Sequence, residues 1–331
     1  MATQTTKDHG QPIHERMISF LTDLQDRIVD ELKLLEPTLT PKVDEWTRGD
    51  HRGRIIVFQD GSAFEKAGVT MSIVKDKLRE ARRQQLNARG WKIPEGEHPY
   101  LATGLSLVFH PVNPFAPTVH LNYRYFEVTD KDSEEPLVWW FGGGSDLTPS
   151  YYFEEDAIHF HKEIKNALDK HGEQHYPKFK KWCDEYFYLP HREEHRGIGG
   201  IFFDDLTGEE LNKDGLKGGK EAVFSLVKDS ANAFIPAYFP IVKRRKEMEY
   251  NENNKVWQQL RRGRYVEFNL VYDRGTHFGL KVPGIRAENI LVSLPLTARW
   301  EFDHQPEEDS EEEKSLLALK KAHDWLKLEN E

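Results

Sequence analysis

Apolar residues near the N-terminus recur every three or four positions, a spacing typical of a helix that buries one face. The residues of this stripe are Ile13, Met17, Phe20, Leu24 and Ile28. They predict a helix within about 12–37, which Pro37 ends. A last helix is predicted over 310–328, because Ser310 and Glu313 have the spacing of a capping box ahead of further leucines.

Further helices and a series of strands are predicted between these two terminal helices. The helices fall near 152–171, 178–188, 219–246 and 253–261. Pro236 is expected to kink or split the long third one, because proline removes a helical hydrogen bond. The strands fall near 54–60, 67–75, 102–109, 118–128, 137–142, 198–204, 264–272 and 289–294.

The order of these elements indicates the fold class. Strands come in runs with short connections, which favours antiparallel pairing, and the helices are grouped before and after them. This arrangement predicts an α+β fold in which helices cover an antiparallel sheet on both faces. Neither an internal repeat nor a long low-complexity linker divides the chain, so a single domain over 1–331 is expected.

Two of the predicted strands alternate apolar and polar residues. In TVHLNYRYFEV one face carries Val119, Leu121, Tyr123 and Tyr125, and the other carries His120, Asn122 and Arg124. In YVEFNLVYDRG one face carries Val266, Phe268, Leu270 and Tyr272, and the other carries Glu267, Asn269 and Asp273, with Arg274 at the end. For either strand alone a solvent-facing side is the simpler interpretation. Two such strands together favour a cleft lined with polar residues.

Composition narrows the kind of ligand that such a cleft can bind. The formal net charge is -10, so a general nucleic-acid surface is not expected, and an anionic ligand requires locally clustered arginines. The one cysteine, Cys183, excludes an internal disulfide and a thiolate zinc cluster. It lies in an aromatic stretch and is expected to be a buried core residue.

Targeting and nucleotide-binding motifs are missing from the sequence. No stretch approaches the ~18 apolar residues of a membrane span. Residues 1–17 lack a hydrophobic signal core and an arginine-rich transit pattern, so the cytosol is the expected location. The GIGGIF stretch at 197 lacks the third glycine of a dinucleotide fingerprint, and there is no phosphate-loop lysine motif.

The stretch FGGGSDLTPS at 141 places consecutive glycines ahead of Asp146. Such glycines either relieve a turn or let a flat, bulky ligand approach the backbone. In the first case Asp146 caps the helix that follows, which is the interpretation that composition alone favours. In the second case Asp146 lies where the approach of the ligand ends.

A series of stretches between residues 46 and 300 resembles the oxygen-dependent coproporphyrinogen III oxidases, in the order of that family. The stretches are WTRG at 46, QDG at 59, GLSLVFHPVNPFAPTVHLNYRYFE at 104, WWFGGGSDLTP at 139, YPKFKKWCDEYFYLPHR at 176, RGIGGIFFDD at 196, RRGRYVEFNLVYDRGTHFGL at 261 and NILVSLP at 289. GGGSD alone would be a weak signal, whereas the whole series is specific.

The resemblance implies a reaction and an architecture. Two propionate side chains of coproporphyrinogen III would be converted to vinyl groups by oxidative decarboxylation, giving protoporphyrinogen IX in haem biosynthesis. Molecular oxygen would be the oxidant, with no organic cofactor and no metal required. A homodimer and a flat antiparallel sheet between helices are also implied.

The resemblance also implies roles for individual residues. His120 corresponds to a proposed proton donor, and Asp146 would accept hydrogen bonds from the pyrrole N–H groups. Asp273 is a second candidate acid, with Arg274 beside it. Substrate contacts are expected from Ser106, Asn122, Tyr123, Arg124, Gly284, Ile285 and Arg286. The arginines suit propionate carboxylates, while Ile285 replaces a residue that is usually small and is expected to narrow the pocket.

Four histidines offer a different interpretation. If His110, His120, His161 and His191 converged, the protein would be a metal-dependent oxygenase or hydrolase. His161 shares a helical stripe with apolar residues, where a buried histidine is commoner than a ligand, so no metal site is expected. A tetrapyrrole carrier with the same cleft but no turnover is a third possibility. Product formation separates the carrier from both enzymes, and metal analysis separates the two enzymes.

Overall fold

The computed structural model describes residues 10–130, 133, 135–208, 218–281 and 286–327, and the statements below concern these residues. The helices are α1 (Ile13–Leu35), α2 (Glu80–Ala88), α3 (Glu154–Asp169), α4 (His175–Tyr186), α5 (Gly219–Asn232), α6 (Phe234–Arg245), α7 (Glu252–Val271), α8 (Arg274–Leu280), α9 (Ala287–Leu291) and α10 (Glu311–Leu319). The strands are β1 (Lys42–Arg48), β2 (His51–Gln59), β3 (Phe64–Lys77), β4 (Pro99–Pro111), β5 (Thr118–Thr129), β6 (Pro136–Thr148), β7 (Tyr188–Leu189), β8 (Glu194–His195) and β9 (Gly199–Leu206).

The larger sheet has seven strands in the order β1-β2-β3-β4-β5-β6-β9, and every neighbouring pair is antiparallel. Strands β1 to β6 follow one another in sequence and in space, and β9 joins the edge after α3 and α4. Strands β7 and β8 pair separately as a short ribbon. The antiparallel α+β prediction is confirmed, and the predicted strands from 54 to 204 correspond to β2–β6 and β9.

One face of the sheet carries the main hydrophobic core. Val119, Leu121, Tyr123 and Tyr125 of β5 are all buried there, as their alternation predicts. Helices α1, α3, α5 and α6 contribute the apolar side chains that pack against this face. Each large apolar side chain buried in this way contributes about 1.5–3 kcal/mol. The predicted N-terminal helix is confirmed as α1, which buries the expected stripe.

The opposite face is covered at its two ends by different elements. At one end, α2 and Trp91 pack over Phe126 and Trp140, whose rings stack with a centroid distance of 4.2 Å. At the other end, α7 crosses the sheet, and Tyr265 meets the ring of His110 edge-on at 5.2 Å. Small and polar residues form the part of this face between the two covers.

The prediction of a strand over 264–272 is wrong, because these residues form the end of α7. Their apolar and polar residues alternate, yet the buried residues Trp257, Arg261, Tyr265 and Phe268 recur at helical spacing. A capping box between Asn251 and Asn254 starts the helix. A short run of residues can fit both the two-residue period of a strand and the period of a helix. Here the length of the segment and its contacts show that it is helical.

The prediction of a strand over 289–294 is also wrong. The first residues of this segment belong to α9, and those that follow form a turn. This segment packs across the strands instead of joining them: a methyl group of Val292 lies where a Cβ on Gly68 would be. Edge strand β1 and helix α2 were not predicted, because their residues are mostly polar and exposed.

The long helix predicted over 219–246 is two helices, with the break at Ala233. Pro236 lies in the first turn of α6, where the missing N–H of proline is tolerated. Ser310 caps α10 by accepting from the N–H of Glu313, but this helix ends at Leu319, before the predicted end. Within the described ranges, no helix combines the length and the apolar character needed to cross a bilayer.

The consecutive glycines lie inside strand β6, together with Asp146. Helix α3 begins only at Glu154, and its N-cap is Phe153, so the interpretation of Asp146 as a helix cap is wrong. The residues of this stretch that follow the glycines therefore extend the sheet instead of turning away from it.

Close contacts within the chain explain two of these glycines. A Cβ on Gly144, whose φ is +155°, would lie 2.1 Å from the carbonyl oxygen of Ile201 on the neighbouring strand. A Cβ on Gly142 would lie 2.6 Å from Nε of Arg124. Glycine thus lets β9 approach β6 at one position and lets the Arg124 side chain lie across the backbone at the other.

We expect Gly144→Ala to lower the free energy of unfolding by more than about 2 kcal/mol, because the added methyl group meets a backbone carbonyl of the paired strand. Gly142→Ala is the matched control, since its methyl group meets a flexible side chain and should cost less than about 1 kcal/mol. Chemical denaturation of both variants measures the difference. Equal stability of the two variants would contradict this account of the sheet.

Candidate active site

The middle of this face of the sheet presents two rows of mostly small and polar residues from paired positions, of which Ile55, Gly142, Gly144 and Phe202 are buried and the others partly exposed. The first row is Gly53, Ser72, Gly104, Arg124 and Gly142. The second row is Ile55, Thr70, Ser106, Asn122, Gly144 and Phe202. Glycine, serine and threonine project little above a sheet, so the two rows form a recessed floor between α2 and α7. We call these two rows the cleft floor.

His120 lies beside the cleft floor and pairs with Asp146 in the register of β5 and β6. Its Nδ1 is 2.8 Å from Oδ1 of Asp146. Arg196, from the segment before β9, donates from Nη2 to both oxygens of the same carboxylate at 2.9 Å. The side chains of Asp146 and Arg196 are 1% and 2% exposed, whereas that of His120 is 21% exposed. Of the three groups, His120 is therefore the one that a ligand can reach.

The Arg196 guanidinium is enclosed by aromatic rings. Its central carbon lies 4.0 Å from the ring centroid of Phe187, 4.7 Å from that of Phe268 and 4.9 Å from that of Tyr265. Burial alone raises the pKa of Asp146, but the Arg196 charge and the hydrogen bonds outweigh it and hold this pKa below its ordinary value. The carboxylate is therefore ionised at neutral pH.

The ionised carboxylate fixes the orientation of the His120 ring. A carboxylate only accepts hydrogen bonds, so Nδ1 of His120 carries the proton between them. The other ring nitrogen, Nε2, makes no hydrogen bond to any residue that the structure describes. It can accept a proton from a ligand in the cleft or, when protonated, donate one.

Two arginines share one carboxylate at the side of the cleft. Nη2 of Arg124 is 2.8 Å from Oδ1 of Asp204, and Nη2 of Arg274 is 3.5 Å from Oδ2. Arg124 also donates from Nη1 to Asn122 at 2.7 Å, and Arg274 lies over the ring of Tyr186 at 5.1 Å. Burial raises the pKa of Asp204, but the two arginines lower it by more. This arrangement holds two guanidinium groups near one another, and each of them is a group that binds carboxylates well.

Asp273 lies between α7 and α8, and its carboxylate caps α8. Oδ2 accepts from the backbone N–H of Thr276 at 2.6 Å and from its hydroxyl at 2.8 Å, and the hydroxyl of Tyr186 donates to Oδ1 at 3.2 Å. Burial raises the pKa of Asp273, but the Thr276 hydrogen bonds, with smaller effects of the His120 and Arg196 charges, lower it overall. These bonds account for its position, and its role as a second acid stays a prediction.

Ser106 and Tyr123 are both predicted to contact the substrate, but their side chains lie on opposite faces of the sheet. Ser106 lies on the cleft floor between its partners on β3 and β5. Tyr123 faces away from the floor: its ring is buried in the main core, and its hydroxyl lies 2.5 Å from Oγ of Ser230. The backbone of Tyr123, not its ring, adjoins the cleft. Cys183 is buried in the core, as predicted.

Arg286 is the one predicted residue of its loop that the structure describes, and Gly284 and Ile285 lie outside the described residues. Arg286 is exposed, and its Nη1 is 2.8 Å from Oδ2 of Asp44 on β1. Asp44 pairs with Ile55, the first residue of the second floor row. Arg286 therefore stands at the β1 end of the cleft floor.

The histidines considered as metal ligands have separate partners. His110 and His161 each bond to a backbone carbonyl, His191 bonds to Glu267, and His120 bonds to its aspartate. Burial lowers the pKa of His110 and His161 to about 3, so both are neutral. Among the residues described, no group of three or more His, Cys, Asp or Glu could hold a metal ion. The independence from metal stays a prediction.

Two charged residues that organise the site, Arg196 and Asp204, were not among the predicted site residues. Both belong to the RGIGGIFFDD stretch around β9. A charged residue beside an apolar, glycine-rich strand is a signal, because a buried charge must find a partner. The sequence does not show which partner, because Asp146 and Arg124 lie on other strands and Arg274 begins α8.

Comparisons with known proteins show the family of this chain. A family model described as coproporphyrinogen III oxidase matches residues 16–325. The mitochondrial oxygen-dependent coproporphyrinogen-III oxidase of Rattus norvegicus is 50% identical over 314 residues, 94% of this chain and 68% of the relative. That of Homo sapiens is 49% identical over 315 residues, 94% and 67% of the two chains. The chloroplastic coproporphyrinogen-III oxidase 1 of Arabidopsis thaliana is 50% identical over 327 residues, 97% and 82%. The chain belongs to the coproporphyrinogen III oxidase family.

Proposed function

We propose that the protein catalyses the oxygen-dependent oxidative decarboxylation of coproporphyrinogen III to protoporphyrinogen IX, a step of haem biosynthesis. One structural observation carries this proposal: His120, whose Nε2 has no partner in the described part of the chain, and a pair of arginines, Arg124 and Arg274, border the same recessed floor. A ring substrate with several carboxylate groups fits this combination. The names of the relatives supply its identity.

The cleft floor suits a bulky tetrapyrrole, because small side chains let a macrocycle lie against the sheet. Propionate carboxylates bind Arg124 and Arg274 through charge-assisted hydrogen bonds, which arginine can make in parallel pairs. Both arginines already contact Asp204, so a substrate carboxylate joins an existing network. Arg286, with Gly284 and Ile285 before it, is a further candidate at the β1 end of the floor.

His120 is the group that we propose to move a proton during turnover. Converting a propionate to a vinyl group releases carbon dioxide and a hydride equivalent, and oxygen that accepts this hydride also takes up one proton to form hydrogen peroxide. Nε2 of His120 is placed to supply or relay such a proton. Asp146 is a positioning residue in this scheme, because its oxygens are occupied by Arg196 and His120. Direct acceptance of pyrrole N–H groups by Asp146 is the alternative.

Oxygen is the co-substrate in this proposal, and the reaction needs no metal or organic cofactor. The electron-rich reduced tetrapyrrole is itself the source of electrons, so the protein contributes orientation and charge. A homodimer and a cytosolic location remain predictions. The relatives named above are mitochondrial or chloroplastic proteins, so their names give no support to the cytosol.

Two other functions were considered from the sequence. A metal-dependent oxygenase or hydrolase would use the histidines, which the structure gives separate partners. A tetrapyrrole carrier would use the same cleft without turnover. A partly exposed, charge-oriented histidine whose Nε2 has no partner among the described residues favours an enzyme, since a carrier has no need of a group poised for proton transfer.

Incubation of the purified protein with coproporphyrinogen III under air should give protoporphyrinogen IX, and incubation under nitrogen should leave the substrate unchanged. Chromatography of the oxidised products resolves substrate, mono-vinyl and di-vinyl forms. Binding without conversion under air would support the carrier.

In the same assay, turnover by a metal-free preparation in the presence of a chelator should equal that of the untreated protein. Strict loss of turnover, restored by one metal ion, would support the metal-dependent enzyme.

Asp146→Asn and His120→Gln separate stability from proton transfer. Asp146→Asn leaves the buried Arg196 without its counter-charge and should lower the free energy of unfolding by about 3–5 kcal/mol, contrary to the small change that an isosteric exchange suggests. His120→Gln retains the ion pair, so its stability should change by less than about 1 kcal/mol. Its kcat should fall on the order of 10²-fold or more.

The double variant tests whether Asp146 acts through His120. Per folded molecule, Asp146→Asn should cause little further loss of kcat in a His120→Gln background, because the residue it positions is already missing. Additive losses would favour direct contact between Asp146 and the substrate. Near-normal kcat of His120→Gln would remove His120 from the mechanism.

Asp204→Asn should raise KM by about tenfold with little change in kcat, because Arg124 and Arg274 repel one another once the carboxylate between them is neutral. Asp205→Asn is the matched control, since Asp205 is the next residue and pairs with Arg89 instead. Steady-state kinetics with coproporphyrinogen III measures both parameters. A lower KM in Asp204→Asn would mean that Asp204 competes with the substrate instead of positioning the arginines.

A further inference from the structure

A second cavity, of about 200 Å³, lies between α7 and the C-terminal segment 301–320. None of its lining residues belongs to the cleft floor. Its cationic lining consists of Arg192, Arg261, Arg264 and Lys320, and we call this cavity the basic pocket. Trp257 and Leu260 of α7 give it an apolar wall. The function proposed above does not use these residues.

Arg261 is a buried cation with an unused donor. Its side chain is 6% exposed, and Nη1 donates to Glu194 at 2.8 Å. Nη2 is buried and has no hydrogen-bond partner among the described residues. Leaving a buried N–H of a charged group without an acceptor costs free energy, and the described residues do not supply Nη2 with an acceptor.

Arg264 is half-buried and makes neither an ion pair nor a hydrogen bond with the residues that the structure describes. Burial, with the nearby charges of Arg192 and Arg261, lowers the pKa of Arg264. The carboxylates that act on Arg264 are those of Glu267 and Glu194. Both are already engaged, Glu267 by Arg192 and Glu194 by Arg261. The pocket therefore has more cationic than anionic charge around Arg264.

The other charged groups of the lining do not remove this excess. Glu301 pairs with Arg299 on the rim. Lys320 donates to the backbone carbonyl of Arg192 at 3.2 Å, which leaves its charge without a counter-ion in the described part of the chain. Asp303 is the remaining acid of the lining, and it is not one of the charges that act on Arg264. An anion between Arg264 and Lys320 would meet two cations that have no counter-ion among the described residues.

We propose that the basic pocket binds a small oxyanion of the phosphate class. A tetrahedral oxyanion offers several acceptors at once and can bind the guanidinium of Arg264 and the ammonium of Lys320 together, with its charge close to the buried Arg261. A volume of about 200 Å³ accommodates such a group, with the apolar wall beside it. The ion would join α7 to the C-terminal segment and relieve the repulsion among the arginines. Free phosphate and the phosphomonoester group of a metabolite share this chemistry.

Calorimetric titration with inorganic phosphate, at constant ionic strength, tests the proposal on the full chain. Arg264→Gln should weaken binding by about tenfold or more, because it removes charge-assisted hydrogen bonds. Lys181→Gln, the same charge change at an exposed site on α4, should bind like the parent. Arg124→Gln should also bind like the parent, since it alters the cleft and not the basic pocket. If Arg264→Gln does not fold, Lys320→Gln replaces it with the same expected direction.

A parallel titration with methyl phosphate distinguishes the two sources of the anion. Methyl phosphate should bind at least as tightly as inorganic phosphate if the apolar wall receives a phosphomonoester, and more weakly if the site is built for the free ion. Either order supports the site, provided that Arg264→Gln weakens both. The proposal is overturned if neither compound binds, if Arg264→Gln binds both like the parent, or if only Arg124→Gln weakens binding.

Discussion

The buried ion pair between Asp146 and Arg196 is the interaction on which the site depends. Two charges removed from water are stable only as a hydrogen-bonded pair, so neither can shift without the other. The aromatic rings of Phe187, Tyr265 and Phe268 enclose the guanidinium and bring the ends of α4 and α7 to the same point. The hydrogen bond to Asp146 fixes the orientation of the His120 ring, although His120 is itself partly exposed.

The same principle recurs at the side of the cleft, where a carboxylate arranges cations that a ligand can use. Asp204 holds Arg124 and Arg274 near one another, as Asp146 holds Arg196. The sheet makes this possible because Gly142 leaves space for the Arg124 side chain to cross the backbone. The core on one face is closely packed, and the other face keeps a recessed floor because its covers, α2 and α7, pack only at its ends.

Helix α7 links the two places where anions are expected. Tyr265 and Phe268 contact the ion pair at the cleft, and Arg261 and Arg264 line the basic pocket about one turn nearer the N-terminus of the helix. The helix crosses the sheet and shields the buried charge, so its position matters to both. A group bound in the basic pocket would hold α7 against the C-terminal segment, and Asp273 follows directly after the last turn of α7.

The sequence by itself determined the elements whose pattern has one solution. Alternation over ten or more residues places the faces of β5, an apolar stripe defines α1, and the ordered motifs identify the family. Tertiary structure decided the rest, for physical reasons that particular residues show. The residues after Arg264 fit both the strand period and the helix period, so only their packing on the sheet makes them helical. Asp146 and Arg196 are 50 residues apart and meet because β9 pairs with β6. Tyr123 adjoins a cleft residue in sequence, yet alternation turns its ring into the core, because neighbouring residues of a strand point to opposite faces.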